Sequence, residues 1–456
     1  MKRAAAWAIA ALQRVCRKFD VPFVVSETTT GGYRNGQGAW AVDRLPESLV
    51  PDMVLWHPGG QLGHIFVGDR YWIGKPLTLI STWDGDEISM IRTHEALRAA
   101  WKVDIAVIGA GQAGLSAAYH LARRGHEPLR DFVVLDGAPS PGGAWQFRWP
   151  TLTLSTVNRI HDLPGMAFSE TLEGDTDEVQ ASVAVPRYYA AYERKYGLQV
   201  RRPVKVTAVR DRGARLRVET DGMAVSARGL INATGTWNTP NIPHYPGFER
   251  FRGRHMHTVD YRRPEEFAGK RVLVVGGGIS AIQLLDAISK VTDTMWVTRR
   301  APEFWRGDFT EEFGREVVAQ VEERVRAGLP PRSVVSATGL PLTPAIEAMQ
   351  ARGALDRHEM FSEITGTGVR WADGRAEPFD VILWCTGFRY DLDHLAPLKL
   401  TNEEGGIAMT GRLATQVAAD PRIHLVGYGP SASTIGANRA GGAAASELLR
   451  YLEGEG

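Results

Sequence analysis

Two stretches of the chain put glycines where an apolar strand would run into a helix: DIAVIGAGQAGLSAAYHLARRG at 104–125 and VLVVGGGISAIQLLDAI at 272–288. In the first, Gly109, Gly111 and Gly114 have the spacing of a pyrophosphate cradle. The first glycine of such a turn allows the tight bend, the second lets the backbone approach a pyrophosphate, and the third lets the helix pack on the strand. The helix N-terminus then adds N–H donors and a positive dipole end. The next expected strand, 132–135, ends at Asp136, whose carboxylate can accept hydrogen bonds from both hydroxyls of a ribose.

In the second stretch Gly276 and Gly278 repeat the spacing, Ala281 replaces the third glycine, and Ser280 stands in the same turn-to-helix junction. The strand after it, MWVT, runs into Arg299 and Arg300, with no acid where the first unit has Asp136. A guanidinium binds a 2'-phosphate bidentately, whereas a carboxylate repels it. The second site is therefore expected to prefer NADPH, and the first to hold a nucleotide with a free ribose.

Such cradles need parallel sheets to position them. From residue 103 the pattern is strand, glycine turn, helix, strand, the signature of a βαβ unit. Residues 203–234 read as a β-meander with turns at Asp211-Arg212-Gly213 and Asp221-Gly222. A polar, helical stretch at 311–352 is broken by Pro330-Pro331, and a hairpin turning at Asp373-Gly374 leads to VILWCTGF and a last strand, IHLVG. The fold class expected is α/β, with two Rossmann-like dinucleotide-binding domains, a β-meander and a small α+β module at the N-terminus. The boundaries expected are 1–102 for the module, 103–245 with 380–456 for a discontinuous first dinucleotide domain, and 246–379 for a second domain inserted into it.

At 456 residues the chain exceeds a single hydrophobic core. A net charge of +1 gives no electrostatic reason for a nucleic acid or an anionic membrane surface as partner. Residues 1–16, MKRAAAWAIAALQRVC, begin like a signal peptide, but Gln13 and Arg14 interrupt the apolar run, which is too short to span a bilayer. The segment reads as an amphipathic helix with Ala8, Leu12, Val15, Cys16 and Phe19 on one face, and the protein as cytoplasmic. Short apolar pieces at 21–25, 53–57 and 64–82 suggest hairpins, and no catalytic motif stands among them. The two cysteines, Cys16 and Cys385, form no C-x-x-C, so neither a disulfide framework nor a thiolate metal site is indicated.

Two further motifs carry a resemblance. PGGAW at 141–145 follows Asp136, and FRGRHMHTVDY at 251–261 has Phe251, Gly253, His257 and Tyr261 at the fixed positions of the fingerprint F-x-G-x-x-x-H-x-x-x-Y. In these the chain resembles the flavin-containing monooxygenases. Tyr261 and Arg262 stand where the Baeyer-Villiger enzymes usually carry Trp followed by Pro or Asp, which argues against that branch. The stretches LTLSTVNRIHDLPGMAF at 152–168, NATGTWNTPNIP at 232–243 and LWCTGFRYD at 383–391 are similar, in the same order, to the YUCCA-type indole-pyruvate monooxygenases and their bacterial relatives. The resemblance spans about residues 103–452.

It implies FAD on the Asp136 unit, with Gly143, Trp145, Gly235, Gly387 and Gly427 among its contacts, and NADPH on the Arg299 unit. It implies hydride transfer to the flavin, reaction with O2 to a C4a-peroxide, and oxygenation of a small organic molecule at nitrogen, sulfur or a carbonyl-bearing carbon. Thr156 or Asn158 is expected at the flavin's reactive edge, with a plain polar turn as the alternative. His257 is expected to position the cofactor rather than move a proton, and Asn438 or Arg439 to line the substrate pocket. The same motifs would serve an NADPH-dependent flavin oxidase or reductase, and a redox-sensing binding flavoprotein is a further alternative. Association into a homo-oligomer is left open.

Overall fold

Short apolar strands build two sheets, the first mixed and the second parallel. The computed structural model describes residues 6–26, 51–59, 62–67, 101–157, 160–174, 177–222, 224–306, 311–331 and 339–454. In the first sheet Trp101–Ile108 lies between Phe132–Leu135 and Ala224–Asn232, parallel to both. Its two faces are both covered, as a near-continuous apolar strand requires. Ile105 and Val107 share a core with Leu115, Val185 and Leu448 of three helices, Gln112–Arg123, Ala181–Tyr196 and Thr434–Glu453. Val103, Ala106 and Ile108 face the opposite cluster. The sheet extends through parallel Asp420–Leu425 to Gln416–Val417 and Met409–Thr410. The expected meander is Val206–Asp211, Leu216–Thr220 and Ala224–Asn232, antiparallel in turn.

Small residues bring two of these helices into backbone contact. A Cβ placed on Gly441 would come within 2.8 Å of the Ala117 nitrogen, and the Ser116 hydroxyl donates to the Asn438 carbonyl at 2.8 Å. The last helix is thereby held against the glycine-turn helix, which sets its N-terminal end beside the carboxyl ends of the strands.

The second sheet runs Arg357–Glu359, Thr294–Thr298, Val272–Val275, Val381–Trp384, Arg254–His257, all parallel. Helix Ile279–Ile288 connects the second glycine turn to Thr294–Thr298. Two expected boundaries shift. Val381–Trp384, assigned from sequence to the first domain, pairs with Val272–Val275 and Arg254–His257 of the second sheet. Trp101 and Lys102, assigned to the N-terminal module, pair with Val225 and Ser226 of the first. A fully buried strand of four apolar residues is written alike whichever sheet takes it, so its partner cannot be read from its own residues.

Among the described residues of the N-terminal module are helix Ala6–Lys18 and a sheet in which Met53–Gly59 pairs in parallel with Val24–Ser26 and antiparallel with Leu62–Val67. Most of the piece expected at 64–82 lies outside the described residues. The helix forms as expected, but three residues of its expected apolar face are exposed: Leu12, Val15 and Phe19 at 61%, 53% and 66%, while Gln13 is buried. Periodicity defines a face, and only a neighbour buries it. No described helix is long and apolar enough to cross a membrane.

Burial also makes the first sheet acid-sensitive. His424 on Asp420–Leu425 has no exposure, and burial pushes its pKa down from 6.5 to about 3. Below pH 6.5 the unfolded chain takes a proton that the folded chain refuses, so stability is complete above 6.5 and is lost as pH falls toward 3. Melting temperature is expected to drop between pH 6.5 and 4, and to drop less steeply in His424→Gln; equal slopes in both proteins would assign the effect to other groups.

Candidate functional site

The carboxyl ends of the first sheet open into a cleft of about 1000 Å³, lined by both of its glycine-rich segments and by the ends of its strands. This is where an open parallel sheet places a ligand. Gly109 adopts φ +97°, and a Cβ there would sit 2.5 Å from the Ala233 carbonyl oxygen. Gly111 stands at the N-cap of Gln112–Arg123 with φ −76°, and a Cβ there would meet no atom within 4 Å. It faces open cleft. Gly114 is closed off: its Cβ would lie 1.9 Å from the Gly109 carbonyl oxygen, so the third glycine serves the packing of the helix on the turn itself.

Asp136 leaves the end of Phe132–Leu135 at the cleft wall, only 7% exposed. Its Oδ2 accepts from Arg202 Nη2 at 2.9 Å and Nε at 3.0 Å, and Arg202 is also held bidentately by Glu193 at 2.8 and 2.9 Å. Oδ1 accepts only a long bond, 3.4 Å, from the Ala138 amide among the described residues, leaving it capacity for a ligand hydroxyl. Gly143, Trp145, Gly235 and Gly427 line the same cleft.

Aromatic rings form the wall nearest the second sheet. Phe147 stacks on Trp237 at 6.2 Å and Trp237 on Phe388 at 5.3 Å. Behind them His257 meets Phe388 edge-on at 5.0 Å, and its Nε2 is 2.9 Å from the Gly387 carbonyl oxygen. The Val259 amide donates to Nδ1 at 3.4 Å, so Nε2 carries the proton and donates it to Gly387. Burial lowers the His257 pKa, against the partial offset of that carbonyl. A neutral imidazole that is 1% exposed and outside the cleft lining is a strut, and it holds the segment carrying Gly387 and Phe388. The rest of its fingerprint is structural too: Tyr261 is fully buried, and a Cβ on Gly253 would lie 2.5 Å from the Asp380 carbonyl oxygen.

The second glycine turn has the same build. Gly276 takes φ +134°, with the Cys385 carbonyl oxygen 2.3 Å from where its Cβ would be, and Trp296 Nε1 donates to the Gly276 carbonyl at 2.7 Å. Gly278 is the N-cap of Ile279–Ile288, with nothing within 4 Å of a Cβ, and Ser280 is half-buried in the first turn of that helix. Arg299 and Arg300 are exposed directly after Thr294–Thr298, the counterpart of the position Asp136 takes in the first unit.

Several expected site residues lie elsewhere. Thr156 is exposed, does not line the cleft, and closes its own turn: its Oγ1 accepts from the Thr153 amide at 3.0 Å. Thr153, Ser155 and Thr156 satisfy one another locally, the arrangement of a plain polar turn. Asn158 lies outside the described residues. Gly387 sits one residue behind the cleft wall, which Phe388 forms. Asn438 donates to the Asp162 carbonyl at 2.5 Å and Arg439 is exposed; neither lines the cleft, whereas Ala437 does. Sequence reading passed over Arg202, Arg148 and Tyr189, of which Arg148 and Tyr189 line the cleft.

A family profile described as pyridine nucleotide-disulphide oxidoreductase matches residues 106–427. The chain is 31% identical over 328 residues to the indole-3-pyruvate monooxygenase YUCCA1 of Oryza sativa subsp. japonica, covering 64% of this chain and 78% of the relative. It is 36% identical to the solved flavin-containing monooxygenase from Stenotrophomonas maltophilia, at a TM-score of 0.65 over 77% of this chain and 99% of that one. An open structure of cyclohexanone monooxygenase shares the fold at 18% identity and a TM-score of 0.55. The chain therefore belongs to the pyridine nucleotide-disulphide oxidoreductase family and, within it, to the flavin-containing monooxygenases, FAD-dependent oxidoreductases that use NADPH and dioxygen.

Proposed function

We propose that the first-sheet cleft holds FAD, that the second glycine turn holds NADPH, and that the enzyme oxygenates a small organic substrate at nitrogen, sulfur or a carbonyl-bearing carbon. The observation that carries this reading is the open space at Gly111, at the N-terminus of a twelve-residue helix and beside Asp136. The donor set fits a flavin dinucleotide: helix-end N–H groups for a pyrophosphate, and a carboxylate oxygen with spare capacity for a ribose. Bound there, FAD supplies the two-electron and oxygen chemistry that no side chain provides.

The chain's own residues bind, orient and exclude water. Residues 109–111 admit the pyrophosphate, and Asp136 fixes the ribose while Arg202 fixes Asp136. His257 keeps Phe388 against Trp237, so that an apolar wall rather than solvent borders the cleft on the side of the second sheet. No internal dithiol can take the electrons: the chain has two cysteines, Cys385 is buried with its thiol pKa raised by that burial, and Cys16 stands in the N-terminal helix. This favours oxygenation over disulfide reduction, and the absence of a cysteine framework agrees with a reducing, cytoplasmic setting.

The test is anaerobic reduction of the purified yellow protein by NADPH, followed by rapid mixing with oxygenated buffer in the presence of amines, thioethers or 2-oxo acids. Coupled consumption of one NADPH per oxygenated product is expected; stoichiometric peroxide with every substrate would make the enzyme an oxidase. The NADPH assignment has its own check. Arg299→Ala is expected to raise the KM for NADPH about tenfold and leave that for NADH unchanged, the loss of one charge-assisted contact. Equal effects on both nucleotides would put the 2'-phosphate elsewhere.

A further inference from the structure

Arg148 is a half-buried cation for which the described residues offer no anion. It follows the short helix Gly143–Phe147 and lines the cleft, caged by three indoles: its guanidinium carbon lies 4.7 Å from the ring centre of Trp237 and 5.9 Å from those of Trp145 and Trp149. Its Nε is shut off from solvent and has no hydrogen-bond partner among the described residues. Burial pulls its pKa down to about 10, with no carboxylate acting to raise it, so it stays charged at neutral pH. Other partly buried guanidiniums are differently served: Arg202 has Asp136 and Glu193, Arg422 has Asp420 and Asp211, and Arg215 has the Ser226 hydroxyl and backbone carbonyls. Aromatic faces offset part of the desolvation of a cation, but they leave the Nε–H without an acceptor.

An uncompensated charge that borders a ligand cleft is costly unless the ligand completes it. We propose that Arg148 is an oxyanion-binding residue, taking a carboxylate or phosphate oxygen of a ligand seated in the cleft. The inference rests on the reading of this cleft as the flavin and substrate site. Two sources have the required chemistry, a phosphate of a dinucleotide and a carboxylate of the substrate. A planar guanidinium suits both through paired N–H donors, and the surrounding indoles favour a ligand whose remaining body is flat and apolar.

The experiment compares wild type, Arg148→Met and Arg148→Lys as FAD-loaded proteins. Flavin content is measured first. NADP+, 3-phenylpyruvate and the neutral ketone 4-phenyl-2-butanone are then titrated against the oxidised flavin spectrum and indole fluorescence. Arg148→Met is expected to lose about tenfold or more in affinity for one anionic partner, with Arg148→Lys intermediate and the neutral ketone unaffected. Loss confined to NADP+ identifies a nucleotide phosphate, loss confined to 3-phenylpyruvate a substrate carboxylate, and lowered FAD content with a native circular dichroism spectrum a flavin phosphate. The flavin-free Arg148→Met protein is expected to melt no lower than wild type, since it exchanges an uncompensated charge for an apolar side chain. Unchanged affinity for FAD and for every probe that wild type binds overturns the proposal, as does a lowered melting temperature with binding intact, which would make Arg148 a structural residue. A wild-type protein that holds no flavin would instead refute the cleft assignment itself.

Discussion

Gly111→Val is expected to give a folded, colourless protein. Its φ of −76° with ψ of −170° is extended backbone open to any L-residue, and a Cβ there touches nothing within 4 Å, so the chain itself has no steric objection to the change. Replacing glycine at a helix N-cap by a β-branched residue costs about 1 kcal/mol, too little to unfold a domain of this size. The new methyl groups occupy the opening by which a pyrophosphate would reach the helix N-terminus. Flavin absorbance per chain should fall to background while circular dichroism stays native. Gly114→Val supplies the contrast: its Cβ would sit 1.9 Å from a backbone oxygen that cannot move without dismantling the turn, and that variant should fail to fold. A Gly111→Val protein that purifies yellow would refute the placement of FAD in this cleft.

That contrast also marks what was legible in the sequence. Glycine spacing, an acid at the end of one following strand and arginines at the end of the other are local patterns, and the two βαβ units stand where those patterns put them. Gly109, Gly111, Asp136, Gly235 and Gly427 converge on one cleft because each sits at the end of a strand or just after it, and Gly143 and Trp145 join them from the short helix Gly143–Phe147. What stayed hidden depends on partners far along the chain. Arg202 reaches Asp136 across 66 positions, and no motif announces it. Val381–Trp384 looks like any buried strand until its neighbours are known. Thr156 has the right residue type for a ligand contact but spends it on Thr153 three residues away, a choice made by the local turn. Arg148 lies three residues beyond the motif that holds Trp145, and its missing counter-ion becomes visible only when the distant Trp237 and the lack of an acid among the described residues are seen together.

Arg202→Met is expected to be the most destabilising single change at the site that leaves every backbone contact in place. Arg202, Asp136 and Glu193 have side chains 10%, 10% and 13% exposed, and one guanidinium serves both carboxylates. Removing it orphans two buried negative charges, for which roughly 3–5 kcal/mol is the usual cost. Truncating Arg187, whose partner Glu173 is 81% exposed, should by comparison cost almost nothing. Urea unfolding at pH 7 measures both. The triple variant Arg202→Met, Asp136→Asn, Glu193→Gln leaves no charge unpaired and is expected to recover most of the lost stability, while still binding FAD weakly because the ribose has lost its carboxylate. If Arg202→Met alone costs less than about 1 kcal/mol, the cluster is solvated and the pairing is a surface one. If the triple variant is stable and binds FAD like wild type, Asp136 is a structural anion and the ribose is recognised by other groups. On the proposed placement of FAD, stability and flavin affinity come apart in this one cluster, because the arginine acts on the fold through two carboxylates and would act on the cofactor through only one of them.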